Sequence, residues 1–324
     1  MAKPIWIHLT DPDNAELQDY LPRDLHEIAS QRLHRTREFD EDIFARLESH
    51  DSYLFGEFAD PTYDPNKDTI HSISIRVIID FHQFLTVIRT PTGLPNNIDV
   101  PDLGDVQTDA SLPNIGSGDC IWLLTSNIAK KIHKLLDMAS DRTELLDELL
   151  SDEDRSDLSS TECRQEIASL RNIYLQLEMI AEPTLGLVEK IIDDELDLKE
   201  TVDGNTQELF PRYTEIRLID VQELLKHAQQ RCNRGQEMMR TLVDNLSSYL
   251  DREQTKAGNR LTSIASIMLL PTFVVGLYGM NIDEGYFPEF GWLNGYLLAW
   301  IVISLLTLIQ ILLFKKIGWL FKRK

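Results

Sequence analysis

Residues Leu270–Phe290 read LPTFVVGLYGMNIDEGYFPEF. An apolar run stops at Gly279-Met280-Asn281. Asp283, Glu284 and Glu289 follow, and a second apolar run begins a few residues later. The two runs, 261–280 and 295–314, each hold about 20 residues without a charge, the length of one membrane span. The second, GYLLAWIVISLLTLIQILLF, is evenly apolar, as suits a lipid-facing helix. The first carries Thr262, Ser263, Ala265, Ser266, Pro271, Thr272, Gly276 and Gly279. Small and hydroxyl residues in a span favour close helix contact or a wet lumen. Leu261, Ala265, Met268 or Leu269, Thr272, Gly276 and Gly279 recur every three or four positions and so share one helix face. The plainer alternative is a two-helix anchor whose small residues only pack the hairpin.

Charge sets the expected orientation. Lys315, Lys316, Lys322, Arg323 and Lys324 follow the second span, and the loop between the spans carries only acids. The positive-inside rule places the C-terminus in the cytoplasm, and two spans return the N-terminal body to the same side. The net charge of the 324 residues is −21, but residues 255–324 carry +4, leaving −25 on the rest. Such acidity argues against nucleic acid as a partner, because phosphate binding needs a cationic face. Cys120, Cys163 and Cys232 are far apart and odd in number, which excludes a disulfide framework or a CxxC zinc site. The N-terminal stretch MAKPIWIHLTDPDNAE has no apolar core of a signal peptide.

Upstream of the spans the pattern is mixed. Ile5–Leu9 reads as a short strand. Two helices are expected in DNAELQDYLPRDLHEIASQRL, with Pro22 between them. Residues 45–60 and 72–90 are rich in Ile, Val, Phe and Tyr and read as consecutive strands, joined by a loop DPTYDPNKD at Asp60–Asp68. Residues 91–105 read as loop. From Asp119 the apolar spacing turns helical. A break is expected at Asp154–Ser160, a second helix with a kink at Pro183, and another break over Lys199–Pro211. After Pro211 helical periodicity runs on into the first span; unbroken, that helix would be roughly 100 Å long. The expected organisation is an α/β domain over 1–115, antiparallel helices over 116–210, a stalk helix over 211–260, spans at 261–280 and 295–314 around an acidic loop at 281–294, and a basic tail at 315–324.

YGMN directly after a span, a short loop containing Pro-Glu, a second span and a final Lys315-Lys316 with Trp319 resemble the CorA family of divalent-cation channels, and the resemblance covers most of the chain. It implies a funnel-shaped homopentamer in a bacterial cell membrane, with both termini cytoplasmic. It also implies a pore lined by the first span and a filter built from Gly279, Met280 and Asn281. Mg²⁺ dehydrates reluctantly, and a ring of neutral Asn281 amides suits an ion that keeps its water. Leu261, Ala265, Leu269, Thr272 and Gly276 are then pore-lining, and the apolar positions among them resemble a constriction that closes by dewetting. Asp283, Glu284 and Glu289 would concentrate cations at the mouth. Asp220 and Asp244 resemble the stalk acids that hold regulatory Mg²⁺ in the family. Thr255 stands where the family's pore often carries Asn, with Asn259 one turn on.

The competing readings are a zinc transporter like the family's ZntB branch, a non-conducting scaffold of the same fold, and a membrane-anchored enzyme. The eight histidines are scattered without ligand spacing, so magnesium leads, with cobalt or nickel as passengers. No P-loop, G-x-S-x-G, H-E-x-x-H or Rossmann glycine pattern is present, so an enzyme and a bound cofactor are not expected.

Overall fold

A computed structural model describes residues 5–109, 115–151, 160–202, 205–279 and 295–319. The chain divides into two compact units, Met1–Val243 and Asp244–Lys324.

The first unit is built on a five-stranded sheet of order β1-β5-β4-β3-β2. Its strands are β1 (Trp6–Thr10), β2 (Arg46–Ser49), β3 (Leu54–Asp64), β4 (Thr69–Ile79) and β5 (Phe84–Ile88). β1 joins β5 in parallel, and every other pairing is antiparallel. The register runs straight across the sheet: Ile7 pairs Leu85, Leu85 pairs Ile78, and Ile78 pairs Phe55. Because side chains alternate along a strand, this row faces one side. There it meets Leu17 of α1 (Asn14–Gln18) and Ala29 and Leu33 of α2 (Glu27–His34) in one buried cluster. The opposite face carries Phe58 and Asp60. Lys131 of α4 (Asp119–Ser151) reaches Asp60 with 2.7 and 2.8 Å contacts. A sheet covered on both faces explains why β5 is buried at every position and does not alternate.

Two sequence expectations are corrected here. The loop expected over Asp60–Asp68 is mostly strand: β3 continues through Pro61 to Asp64, and only 65–68 turn. Proline breaks a sheet by removing a ladder donor, yet β2 pairs β3 only from Leu54 to Glu57. Pro61 therefore sits where β3 has no partner on that side, a place proline tolerates. The break expected over Lys199–Pro211 holds a small hairpin instead, β6 (Lys199–Val202) with β7 (Asn205–Glu208).

A short α3 (Gly104–Asp109), begun inside the stretch expected as loop and not itself expected, precedes the long helices α4, α5 (Ser160–Ile192) and α6 (Arg212–Tyr278). α5 runs through Pro183. It ends in a Schellman motif: Asp194 takes φ +57°, its N–H bonds the Ile191 carbonyl, and the Glu195 N–H bonds that of Lys190. α6 buries Leu218, Val221, Leu225, Ala228, Cys232, Met239 and Leu242, spaced three and four apart apart from the place that Gly235 fills. Gly235 is required there, because a Cβ would lie 2.4 Å from the Tyr174 ring of α5.

In the second unit α6 continues to Tyr278, and α7 runs Gly295–Ile317. α7 includes Lys315 and Lys316, whose charges suit the negative end of the helix dipole. Gly318 then takes φ +84°, its N–H bonds the Lys315 carbonyl, and the Trp319 N–H bonds that of Phe314. This is again a Schellman stop, and the Trp319 ring stacks on Phe314 with centroids 5.9 Å apart.

Candidate functional site

α6 within Arg212–Gly276 and α7 over Trp300–Ile317 each hold a stretch long and apolar enough to cross a membrane. The α6 stretch has two unlike sides. Ser263 is fully buried, and Ser266, Ile267, Leu270 and Val274 are half-buried on the same stripe. The expected pore-lining residues Leu261, Ala265, Leu269, Thr272 and Gly276 are all exposed on the single chain, Leu261 and Leu269 by about 70%. Ile264, Phe273 and Val275 are exposed as well, so exposure alone does not select a lumen face. Thr272 donates its hydroxyl to the Met268 carbonyl at 2.8 Å, which leaves its oxygen lone pairs outward. Gly276 has open space where a Cβ would stand, and it is helical, so its use there is room and not an unusual turn. The Gly279 N–H bonds the Val275 carbonyl at 2.9 Å and closes the last turn of α6. Met280, Asn281, Asp283, Glu284 and Glu289 lie outside the described residues.

The second span, apolar along its length, also has a half-buried side. Ile303, Thr307, Gln310, Ile311 and Phe314 form its half-buried stripe, and Gln310 is the exception in a lipid-length run. Its Nε2 points at the Ser266 carbonyl of α6 at 3.5 Å, and its Oε1 is buried with no partner among the described residues. The signal was present in the sequence as one amide among aliphatic residues, which in a membrane marks a place to examine.

The two candidate sensor acids, Asp220 and Asp244, are exposed on α6 and form no ion pair with a described residue. At about 100° and about 1.5 Å per residue they point a third of a turn apart and stand about 36 Å apart along the axis, so one ligand cannot meet both from a single helix. Among the described residues no group of three or more His, Cys, Asp or Glu is placed to hold a metal. Several histidines have local partners instead. His26 caps α2, His34 bonds the Ser30 carbonyl and His133 the Leu224 carbonyl. Burial pushes the Cys120 and Cys232 thiols up to about 12, which makes them poor thiolate ligands.

The start of α6 is fixed by an interaction the sequence did not reveal. Asp119, fully buried at the head of α4, accepts from the Thr214 hydroxyl at 2.7 Å and the Gly116 N–H at 3.0 Å. Arg217 lies 3.2 Å from the same carboxylate and over the rings of Trp122 and Tyr213. Gly118 admits no Cβ, which would come within 2.0 Å of the Leu209 carbonyl. A cavity of about 390 Å³ adjoins this joint, with Phe81, Ser117, Glu208 and Tyr213 in its wall.

Residues 2–316 match the family model described as "CorA-like Mg2+ transporter protein". The "Magnesium transport protein CorA" of Helicobacter pylori (strain ATCC 700392 / 26695) is 38% identical over 79 residues, 24% of this chain and 24% of that protein. The match thus spans about a quarter of that relative's length. The "Cobalt/magnesium transport protein CorA" of Methanocaldococcus jannaschii is 21% identical over 325 residues, covering 98% of this chain and 91% of the relative. The solved structure of the complete CorA magnesium transporter from Methanocaldococcus jannaschii superposes with TM-score 0.71 at 17% identity, covering 97% of this chain and 90% of that one. At that identity the likeness speaks for the fold.

Proposed function

Because the chain belongs to the CorA-like Mg2+ transporter protein family, we propose that it carries divalent cations across a membrane, magnesium before cobalt or nickel, through a pore lined by α6 from five copies. One observation carries this reading: a single 67-residue helix starts in the α/β unit and ends one residue before the Gly279-Met280-Asn281 sequence. A helix of that kind links a cytoplasmic metal sensor to a filter without an intervening hinge loop. The relatives named for magnesium and cobalt transport support the choice of cargo.

The mechanism follows from hydration. Mg²⁺ gives up water reluctantly, so the Asn281 amides of five copies hydrogen-bond the ion's water shell at the mouth. Asp283, Glu284 and Glu289 raise the local cation concentration. Thr272 offers outward lone pairs below the mouth, and Leu261 and Leu269 form apolar rings that close by dewetting. The membrane potential drives entry towards the cytoplasmic body, and Mg²⁺ held by Asp220 and by acids of a neighbouring copy favours the closed state.

The test is uptake into liposomes carrying the purified protein, with Mg²⁺ and Zn²⁺ run side by side. Potential-driven Mg²⁺ uptake, reduced at least tenfold in Asn281→Ala, is expected. Zn²⁺ uptake without Mg²⁺ uptake would assign the protein to a zinc-carrying branch. Uptake of neither would make it a scaffold, and full selective flux in Asn281→Ala would remove that residue from the filter.

A further inference from the structure

An amide in hydrocarbon is costly unless its hydrogen bonds are made, so Gln310 needs a reason, and the reason lies in what it faces. It faces the turn of α6 that Pro271 interrupts. Pro271 has no N–H, so the carbonyl of Ile267 loses its i+4 donor, and the proline ring crowds that carbonyl. The Gln310 amide approaches the backbone one residue ahead of it, at Ser266 O. Its amide nitrogen carries two donors, enough to serve neighbouring carbonyls in turn. At 3.5 Å the contact lies beyond the usual N–H···O range of about 2.7–3.2 Å and is a weak one. A small approach of α6 would tighten it, and a small retreat would break it.

Nearby hydroxyls do not share this task. Ser263 donates to the Asn259 carbonyl, Thr272 to that of Met268 and Thr307 to that of Ile303, each within its own helix. Among the hydrogen bonds between described residues, Gln310 to Ser266 is the one that crosses between the two spans. Thr272 and Gly276 follow Pro271 directly, so a tilt at this turn moves both.

The geometry assigns Gln310 as a positioning residue: its amide tethers α7 to α6 at the Pro271 turn and sets the tilt of the helix segment that leads to the filter. This rests on reading α6 as the pore-lining helix. The test uses the full chain in liposomes as wild type, Gln310→Met, Gln310→Glu, Pro271→Ala and the Gln310→Met/Pro271→Ala pair. Gln310→Met keeps length and volume but has no donor. Pro271→Ala returns the missing donor to Ile267 O. The first readout is hydrogen–deuterium exchange of α6 peptides over 266–276, which needs no transport. The second is the internal Mg²⁺ concentration that halves Mg²⁺ influx.

Gln310→Met should raise exchange and shift half-inhibition about threefold, the scale of one interhelical hydrogen bond in a membrane. Both changes should be smaller on top of Pro271→Ala, where the turn has its own donor at the Ile267 carbonyl. Gln310→Glu keeps an O–H donor while protonated, so it should match wild type at acidic pH and Gln310→Met at alkaline pH. Unchanged exchange in Gln310→Met, with Gln310→Glu insensitive to pH, would overturn the tether. An equal increase with and without Pro271 would also overturn it. If wild-type vesicles carry neither Mg²⁺ nor Zn²⁺, the transport reading fails, and the exchange result alone still decides the tether.

Discussion

At the scale of single residues, Asp68 shows how the first unit is held. It takes φ +51°, a backbone conformation that Asp tolerates better than most residues. It receives both arms of Arg142 from α4 at 2.6 and 2.7 Å, the Ser169 hydroxyl from α5 and the Tyr63 hydroxyl. One carboxylate thus pins the β3–β4 turn to two helices. The Arg142 hydrogen bonds, only partly opposed by burial, hold its carboxyl well below the usual range. A carboxyl with a lowered folded pKa stabilises above its unfolded value, near 3.9, and loses that contribution as pH falls further. Asp68→Asn should cost about 1–2 kcal/mol at neutral pH, a charge-assisted bond discounted for partial exposure. Its melting temperature should fall less steeply than that of wild type below about pH 4, as thermal melts of the full-length protein over pH 3–7 would register. Neither helix partner could be matched from sequence, since Arg142 and Ser169 lie 74 and 101 residues away. A second residue-scale expectation concerns Asp220. Asp220→Ala should raise the internal Mg²⁺ needed to halve influx by roughly five- to tenfold, the size of one charged contact. An unshifted inhibition curve would exclude Asp220 as a sensor.

Among the elements, α6 matters most, and much of it was legible. Leu218 to Leu242 announce a buried stripe by their three- and four-residue spacing, and the apolar run after Leu261 announces a span. The β6–β7 hairpin was not read, because its strands are short and polar; Asp203-Gly204 between them is the turn signal that could have found it. β3 was cut short because proline outweighed the run of buried residues around it. The filter loop, the centre of the functional reading, is legible only as a motif. Between Leu246 and Ser263 no α6 side chain is buried, so this stretch carries register and little packing. One alanine inserted between Ser247 and Ser248 would rotate everything downstream by about 100°. Inhibition by internal Mg²⁺ should then be lost while oligomer assembly persists. Seven inserted residues return the face to within about 20°, and inhibition should largely recover. Equal inhibition curves for both insertions would mean that the helix does not transmit register.

For the molecule as a whole, a single copy is not self-sufficient. A helix exposed on every side is marginal in water, and α6 has such a stretch directly before its membrane run. Partners along that length are expected, and native mass spectrometry in mild detergent should find five copies. The formal charge of −25 outside residues 255–324 adds a second expectation. Each body draws divalent cations from solution through a field that salt screens within about 10 Å at 0.1 M. Raising KCl from about 0.05 to about 0.5 M should therefore weaken inhibition by internal Mg²⁺ several-fold. Passage through the proposed ring of Asn281 amides should change much less.

The stop at Gly318 has a mechanical corollary. A frayed helix end can lengthen or shorten by a turn when its surroundings change thickness. α7 has no such slack, because the backbone reverses at Gly318 and the Trp319 ring lies flat on Phe314. The last helical turn is therefore a fixed ruler mark, ending in an indole of the kind that membrane interfaces favour. In a thicker bilayer this helix responds by standing more upright or drawing the lipids thinner around it, and in a thinner one by leaning. If the contact at Ser266 is the tether proposed above, lipid chain length should become a lever on the lean of α6.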